Sequence, residues 1–584
     1  MTFPFLKVAA AALRAAVLTA SVLVLTSCGG GGSVPSNRDS LRPLSDEFTS
    51  RKAVAYGPYR TAKNDSDRVN ETITEDMIKQ DMGLIQAAGF GLIRLFDSSD
   101  KVAKLTLKVI RDNKFNIKVM LGAYVQGTKY ASAAEVPKVT AYNNAELLRV
   151  VTLANQYSDI VLAVSVGNET MVTWSFNPID PRDVASYLGR VRSQISQPVT
   201  SDDNWAYYAN SDRVLLDAMD FVSVHTYPEL DTQYLPEVWD WRQSSVPAAS
   251  RAAAMMDAAI SSARREYSAV RSFLDSKNLS AMPIVVGETG WNAVDVGALK
   301  YRAHPVNQKM YFDRLAAWAA ESKAGNGPKS VIYFQAFDEP WKQSDDKWGL
   351  FNVNRQARYA IQALNGVSAT WVYEAGTYKD SDAIYFTPPV VGAAVVQNKY
   401  TLYSETAIQA SELQALWPTQ QRFDAFDGDS ASYQEVASSA APGDGSKSIE
   451  ITPKPKSYGW GLLLQSAAAG SPVNLSNFSA TGSLNFSIKT AYRGKIEVGI
   501  STDTESSGPQ EAYLQIGNGQ YGYCNSNNWC NVSIPVQAFL AVNSKADLRL
   551  VLSRFIIADR FGFTGNSQSA GLPVLNIDGI YWSR

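Results

Sequence analysis

Ile160-Val-Leu-Ala-Val-Ser-Val-Gly-Asn168-Glu169 and Pro283-Ile-Val-Val-Gly287-Glu288-Thr-Gly-Trp291 are two apolar runs that each lead into a glutamate. Both are short, rich in β-branched residues and followed by Gly or Asn, the composition of a buried strand leading into a sharp turn. A carboxylate on a strand's exit turn sits where parallel α/β folds collect their functional groups. Six further runs of the same kind flank these two: Ala53-Val-Ala-Tyr56, Leu92-Ile-Arg-Leu-Phe96, Ile117-Lys-Val-Met-Leu121, Pro198-Val-Thr200, Phe221-Val-Ser-Val-His225 and Val331-Ile-Tyr-Phe-Gln-Ala-Phe337. Helical periodicities such as Glu75 to Ala88, Ala145 to Gln156 and Arg251 to Lys277 separate them. Eight strand–helix units predict an α/β fold, a (β/α)8 TIM barrel. An open doubly wound sheet is the alternative, disfavoured because no Gly-rich phosphate loop follows the first strand.

The chain has 584 residues, more than one ordinary domain holds. Its character changes near Asp380. Short strand-like runs then dominate, separated by Gly, Ser, Asn and Asp, among them Ser483-Leu-Asn-Phe-Ser-Ile488 and Lys495-Ile-Glu-Val-Gly-Ile500. This pattern predicts an all-β sandwich. The expected organisation is a signal peptide over 1–27, a flexible linker over 28–50, the barrel over 51–380 and the sandwich over 390–584.

Lys plus Arg is 54 and Asp plus Glu is 56, which gives no electrostatic case for a nucleic-acid partner. Lys7 and Arg14 precede the apolar stretch Ala15 to Leu25, too short to span a bilayer comfortably. It ends in Leu25-Thr-Ser-Cys28, which resembles the bacterial lipobox. That resemblance implies export, lipidation of Cys28 and attachment to a membrane surface. Gly29 and Gly30 lack the Asp of inner-membrane retention, so the outer membrane is expected. With Cys28 lipidated, Cys524 and Cys530 remain as an even pair in an exported protein, and a loop disulfide is expected. No metal site or cofactor is expected: the only histidines are His225 and His304, and no Cys lies near either in the sequence. His225 reads as structural. A monomer is expected.

Two carboxylates on strand exits suit the acid and nucleophile of glycoside cleavage. Asn168 directly precedes Glu169 and can reach the same ligand. Trp291 lies three residues after Glu288 and offers a ring for a sugar face. The barrel resembles glycoside hydrolase family 17, the β-1,3-glucanase family. The resemblance is carried in order by Ala55-Tyr56-Gly57, Ile93-Arg94-Leu95-Phe96, Val166-Gly-Asn168-Glu169, Gly287-Glu288-Thr-Gly-Trp291 and Phe337-Asp338-Glu339-Pro-Trp341-Lys342. It implies a retaining glycosidase with Glu169 as general acid/base and Glu288 as nucleophile. It further implies Asn168 on the 2-hydroxyl, and Tyr227 or Arg94 holding Glu288 ionised. Tyr56, Trp291 and Trp341 are candidate sugar platforms, and Glu339 and Lys342 supporting polar residues.

The second domain resembles carbohydrate-binding, galactose-binding-like sandwiches appended to bacterial glycosidases, through Tyr458-Gly-Trp460-Gly, Trp529-Cys530-Asn-Val and Leu575-Asn-Ile-Asp578-Gly-Ile-Tyr581-Trp582. Trp460 and Trp582 read as core residues. The expected activity is endo-cleavage of a laminarin-like β-glucan. A β-1,3-glucanosyltransferase, or a non-catalytic surface glycan-binding lipoprotein, are the rival readings.

Overall fold

The structure is a computed structural model. It describes residues 41–584 apart from 235–236, 296–298, 324, 326, 346, 363, 365–370, 406–407, 415–419, 438–444, 455–458, 468–470, 494–495, 504–509 and 561–571. The lipobox-like stretch and Cys28 lie outside the described residues. Among those described, no helix is long and apolar enough to cross a membrane. The chain divides into two compact units, with the break between Phe386 and Thr387.

The first unit is a closed barrel of eight parallel strands. They are β1 (Ala53–Ala55), β2 (Leu92–Arg94), β3 (Lys118–Ala123), β4 (Val161–Asn168), β5 (Val199–Asn204), β6 (Val222–His225), β7 (Ile284–Thr289) and β8 (Val331–Tyr333). All eight expected strands are present. Alternation along each strand sorts its side chains into two cores. One set, with Val54, Ile93, Val119 and Val286, packs outward under the helices. The other points inward: Ala53, Leu92, Met120, Ala163, Val285 and Ile332 fill the barrel's lower interior.

The expected linker over 28–50 is corrected at its end. Residues Asp46–Ser50 form a helix capped by the Ser45 side chain, and its Phe48 is wholly buried against Phe221. Arg42 donates to the carbonyls of Arg192, Ile195 and Gln197, which lead into β5. The segment plugs the end of the barrel where the strands begin. An apolar ring in a socket lined by strand starts outweighs the polar composition that reads as linker. The barrel unit also runs past residue 380, because the Phe386 ring packs on Trp241 and Tyr301.

Two charged clusters outside the barrel bore are buried. Asp81 accepts from Tyr56 Oη, Arg60 Nη2 and both Nε and Nη2 of Arg355. Elsewhere, Asp231 of the helix Pro228–Tyr234 faces Glu266 of the long helix Ala248–Ser276.

The second unit is a sandwich of two sheets. Its strands are β9 (Lys399–Tyr403), β10 (Glu412–Gln414), β11 (Gln421–Ala425), β12 (Ala431–Ala437), β13 (Lys447–Pro453), β14 (Gly459–Ser466), β15 (Ser483–Thr490), β16 (Ile496–Thr502), β17 (Gln510–Ile516), β18 (Trp529–Pro535), β19 (Val551–Arg560) and β20 (Leu575–Ser583). One sheet runs β11-β14-β19-β16-β17; the other is built around β20, which pairs with β9, β13 and β15. Trp460 and Trp582 are buried between them. Their indole N–H groups donate to Tyr492 Oη and to the Arg554 carbonyl, which satisfies the polar edge of each ring. Cys524 and Cys530 are disulfide-bonded.

The Asp231–Glu266 pair makes folding pH-dependent. Burial pushes Asp231 up to about 7, and burial together with the Asp231 charge pushes Glu266 well above the carboxylate range. Both folded values exceed the unfolded ones near 4. The pair's contribution is therefore whole below about pH 4 and is lost as pH rises through about 7. Thermal melts between pH 5 and 8 should show a decline in Tm that Asp231→Asn flattens.

Candidate active site

The site grows out of a change in the barrel's inward-facing residues. Toward the strand exits they turn from apolar to polar: Leu92 gives way to Arg94, Ala163 to Ser165, and Phe221 to Ser223 and His225. Strand register lines these up, pairing Asn168 with Asp202, Asn204 with His225, and His225 with Glu288. Both glutamate motifs carry a break in register one step before the exit, between Ser165 and Asn168 on β4 and opposite Val224/His225 on β7. Such irregularities re-aim a side chain. Glycine is needed at the second, because a Cβ on Gly287 would lie 2.2 Å from Ser223 Oγ and 2.6 Å from Asp202 Oδ1.

Arg94 is the centre of the polar layer. Fully buried, it reaches Glu288 Oε1 through Nη1, and Asn168 Oδ1 (2.5 Å) and Asp202 Oδ2 (3.0 Å) through Nη2. Asp202 is also held by the hydroxyls of Ser165 and Ser223. Burial raises the Asp202 pKa, but Arg94 and the other partners outweigh it and bring it down to about 2. Glu288 Oε2 accepts from Tyr227 Oη at 2.6 Å. Burial opposes its charge as well, yet His225, Arg94 and the Tyr227 hydroxyl together hold its pKa below the ordinary value.

Glu169 sits one residue past β4 with a left-handed backbone, φ +48°. A non-glycine residue there costs about 1 kcal/mol or more unless the surroundings impose it. Here they do. Its N–H donates to the Asp202 carbonyl, its carbonyl accepts from Ser175 Oγ, and the next turn is pinned by Met171 N–H to Asp203 Oδ2. Its carboxyl is the more open of the two, with a third of the side chain exposed.

His225 corrects the structural reading given to it above. Nδ1 lies 2.8 Å from Glu169 Oε1 and 3.6 Å from Glu288 Oε2, so this ring bridges the two glutamates. Burial disfavours its charge, but Glu288 foremost, then Asp202 and Glu169, raise its pKa to about 10. The signal in the sequence is its position: it ends β6 as the glutamates end β4 and β7. Asp202 and Asp203 were missed for the opposite reason, since nothing in Thr200-Ser-Asp-Asp-Asn204 shows which Asp turns inward. Buried Asp203 is pushed up to about 7 by burial and by the neighbouring Glu169.

One ligand atom each from Glu169, His225 and Glu288 fall within 4.8 Å of one another. This donor set would fit a divalent ion by type and spacing. The Arg94 guanidinium, however, already supplies positive charge to the same Glu288 carboxylate.

Arg94, Asn168 and Tyr227 thus join the two glutamates. Two other expected residues do not. Trp291 is wholly buried, packed on Tyr311, with its indole N–H on the Arg302 carbonyl. Tyr56 is buried on Asp81 and edge-on to Phe337. Neither ring has a face for a sugar; each found a buried polar partner that its neighbours in sequence do not announce. Trp341 is half-buried at the rim, with Arg68 over its ring at 4.4 Å. Glu339 is buried, bridged to Lys342 at 2.7 Å, and fits only because Gly57 leaves room: a Cβ there would meet Glu339 Oε1 at 2.0 Å. Lys342 Nζ lies 4.5 Å from the centre of the Phe334 ring, which packs on Tyr227, so this pair flanks the site at one remove.

An eight-stranded parallel barrel with paired glutamates at the exits of β4 and β7 defines a glycoside hydrolase architecture. Residues 53–354 match the family model described as the BtgE/BtgC glycoside hydrolase domain, more than half of the chain. The chain belongs to this family. Residues 405–578 match the model described as carbohydrate binding domain 30. A curated relative from Arthroderma benhamiae, named glucan 1,3-beta-glucosidase, is 22% identical over 221 residues, 34% of this chain and 61% of that protein. The chain therefore spans about three-fifths of this relative's length. Among solved structures, an endo-laminarinase from Formosa Hel1_33_131 is 26% identical, covering 56% of this chain and 90% of that one, with a TM-score of 0.49. The family 17 β-1,3-glucanosyltransferase of Rhizomucor miehei is 18% identical, covering 53% and 96%, with a TM-score of 0.38.

Since Trp291 is a packing residue, Trp291→Ala should lower stability by about 3–5 kcal/mol, seen in the denaturant midpoint. A sugar platform would instead raise KM while leaving the midpoint in place.

Proposed function

We propose that the chain cleaves β-1,3-glucosidic bonds of a laminarin-like glucan with retention of configuration. The observation that carries the mechanism is the approach of Glu169 and Glu288 to within 4.8 Å through their nearest oxygens. Retaining glycosidases hold their two carboxyl groups about 5–5.5 Å apart, whereas inverting ones leave room for a water between them. The 1,3-linkage is supported by the curated relative, whose name is glucan 1,3-beta-glucosidase, and by the motif resemblance.

In this reading Glu288, ionised by Arg94 and Tyr227, attacks the anomeric carbon. Glu169 gives a proton to the departing glycosidic oxygen, and a glycosyl ester forms on Glu288. Glu169 then takes a proton from water, which attacks the same carbon from the other side and releases Glu288. His225 carries a proton beside Glu169 Oε1 and is placed to share it. Asn168 has its carbonyl oxygen committed to Arg94, which turns its amide donors toward the substrate's 2-hydroxyl. The second unit would hold the same polymer and raise its local concentration at the barrel. The sequence before Cys28 supports export and a lipid anchor, which mass spectrometry of the mature N-terminus would test.

Reducing-sugar release from laminarin, curdlan, lichenan and cellulose tests both linkage and mechanism. Laminarin and curdlan should be cleaved, and Glu169→Gln and Glu288→Gln should each lose roughly 10³-fold. NMR should show the β-anomer first; an α-anomer would overturn retention. Products longer than a laminari-oligosaccharide substrate would assign a sugar, rather than water, as the acceptor.

A further inference from the structure

A cavity of about 430 Å³ opens between the exit loops of β3 and β4. Gln126, Tyr130, Lys138, Tyr142, Phe176 and Asn177 are among its walls. Three features set it apart from an ordinary surface dimple.

It carries exposed aromatic rings. Tyr130 and Phe176 are 66% and 63% exposed, among the most open large apolar side chains of the described residues. Lys129 sits toward one face of Tyr130, 5.6 Å from the ring centre. Exposed rings beside polar groups are the composition that receives a sugar, whose C–H face stacks while its hydroxyls hydrogen-bond.

It is also built. Asn177 clamps the two loops together, accepting from Gly127 N–H at 2.7 Å and donating to the Val125 carbonyl at 2.8 Å. Asn143 does the same from the helix Val136–Gln156, accepting from Gln126 N–H and donating to the Gln126 carbonyl, each at 2.8 Å. Gly127 packs so tightly on the Pro178 carbonyl that a Cβ would lie 2.2 Å from it. Loops held this way need little ordering when a ligand arrives.

Finally, it shares a loop with one of the two glutamates. Phe176 follows Ser175, whose hydroxyl donates to the Glu169 carbonyl at 2.6 Å. Ile179 N–H closes the same loop onto the Thr170 carbonyl at 2.8 Å. The ring at the cavity mouth and the glutamate that handles the proton thus ride on one short closed loop.

The geometry points to a distal glucosyl subsite between Tyr130 and Phe176, which grips a residue of the glucan chain beyond the scissile bond. The inference rests on the glucan-cleaving reading above and adds the requirement for an extended chain. It gives the barrel its own means of favouring polymer over short oligosaccharide.

The test is chain-length dependence in the full-length protein. Phe176→Ala and Tyr130→Ala should each lower kcat/KM on a long laminari-oligosaccharide about 3- to 10-fold. On the shortest oligosaccharide that is still cleaved they should stay within about twofold of wild type. Phe176→Trp and Tyr130→Phe keep a ring and should restore the long-chain rate, and Tm should be unchanged throughout because both side chains are exposed. Equal losses on long and short substrates, or no loss on the long one, would overturn the subsite while leaving glucan cleavage standing. Wild type that cleaves no β-1,3-glucan would sink the reading beneath it and the subsite together.

Discussion

A single buried guanidinium organises the open end of this barrel. Arg94 brings one positive charge into a space where an unpaired ion would cost several kcal/mol. Asp202 and Glu288 meet it, and Asn168 takes a further N–H. Two carboxylates around one guanidinium leave a residual negative charge, and His225 approaches from the next strand to balance it. The geometry of the glutamate pair therefore follows from charge neutralisation. Glu288 is fixed because Arg94 needs it, and Glu169 is fixed because the backbone beside Asp202 holds its N–H. Removing Arg94 would leave two buried carboxylates facing each other, so its loss would disturb position and charge together.

Much of this was legible in the chain itself. Short, nearly continuous apolar runs, spaced by helical stretches, identify the barrel because a parallel sheet buries both faces of its strands. The glutamates stood out because each ends such a run beside a glycine or an asparagine. The glycine signal has a sharper meaning in the structure. Gly287 makes room for Ser223 and Asp202 at a break in strand register, and that break swings the next residue, Glu288, into the bore. What could not be read is partnership across strands. Asp202, Asp203 and His225 acquire their roles from neighbours 20 to 60 positions away. Trp291 and Tyr56 mislead for the same reason. An aromatic after a strand exit can turn to the rim or back under it, and the deciding contacts, the Arg302 carbonyl and Asp81, are remote in sequence.

The sandwich shows the complementary case. Its alternating short strands foretell two facing sheets, and its tryptophans were read as core because large rings between sheets are commonly packing. Trp460 and Trp582 bear this out through buried N–H partners. In the unit that matches carbohydrate binding domain 30, these two rings therefore present no face to a ligand.

The plug at the barrel's foot has a consequence for how the molecule can be held. Arg42 and Phe48 fasten the incoming chain to the ends where β5 and β6 begin, while both glutamates open at the ends where the strands finish. A leash drawn from the N-terminal side pulls on the closed base and leaves the mouth facing outward. Immobilising the protein through that end would orient every copy with its cleft toward the solution, whereas a graft onto the β3 or β4 exit loop would block the entrance.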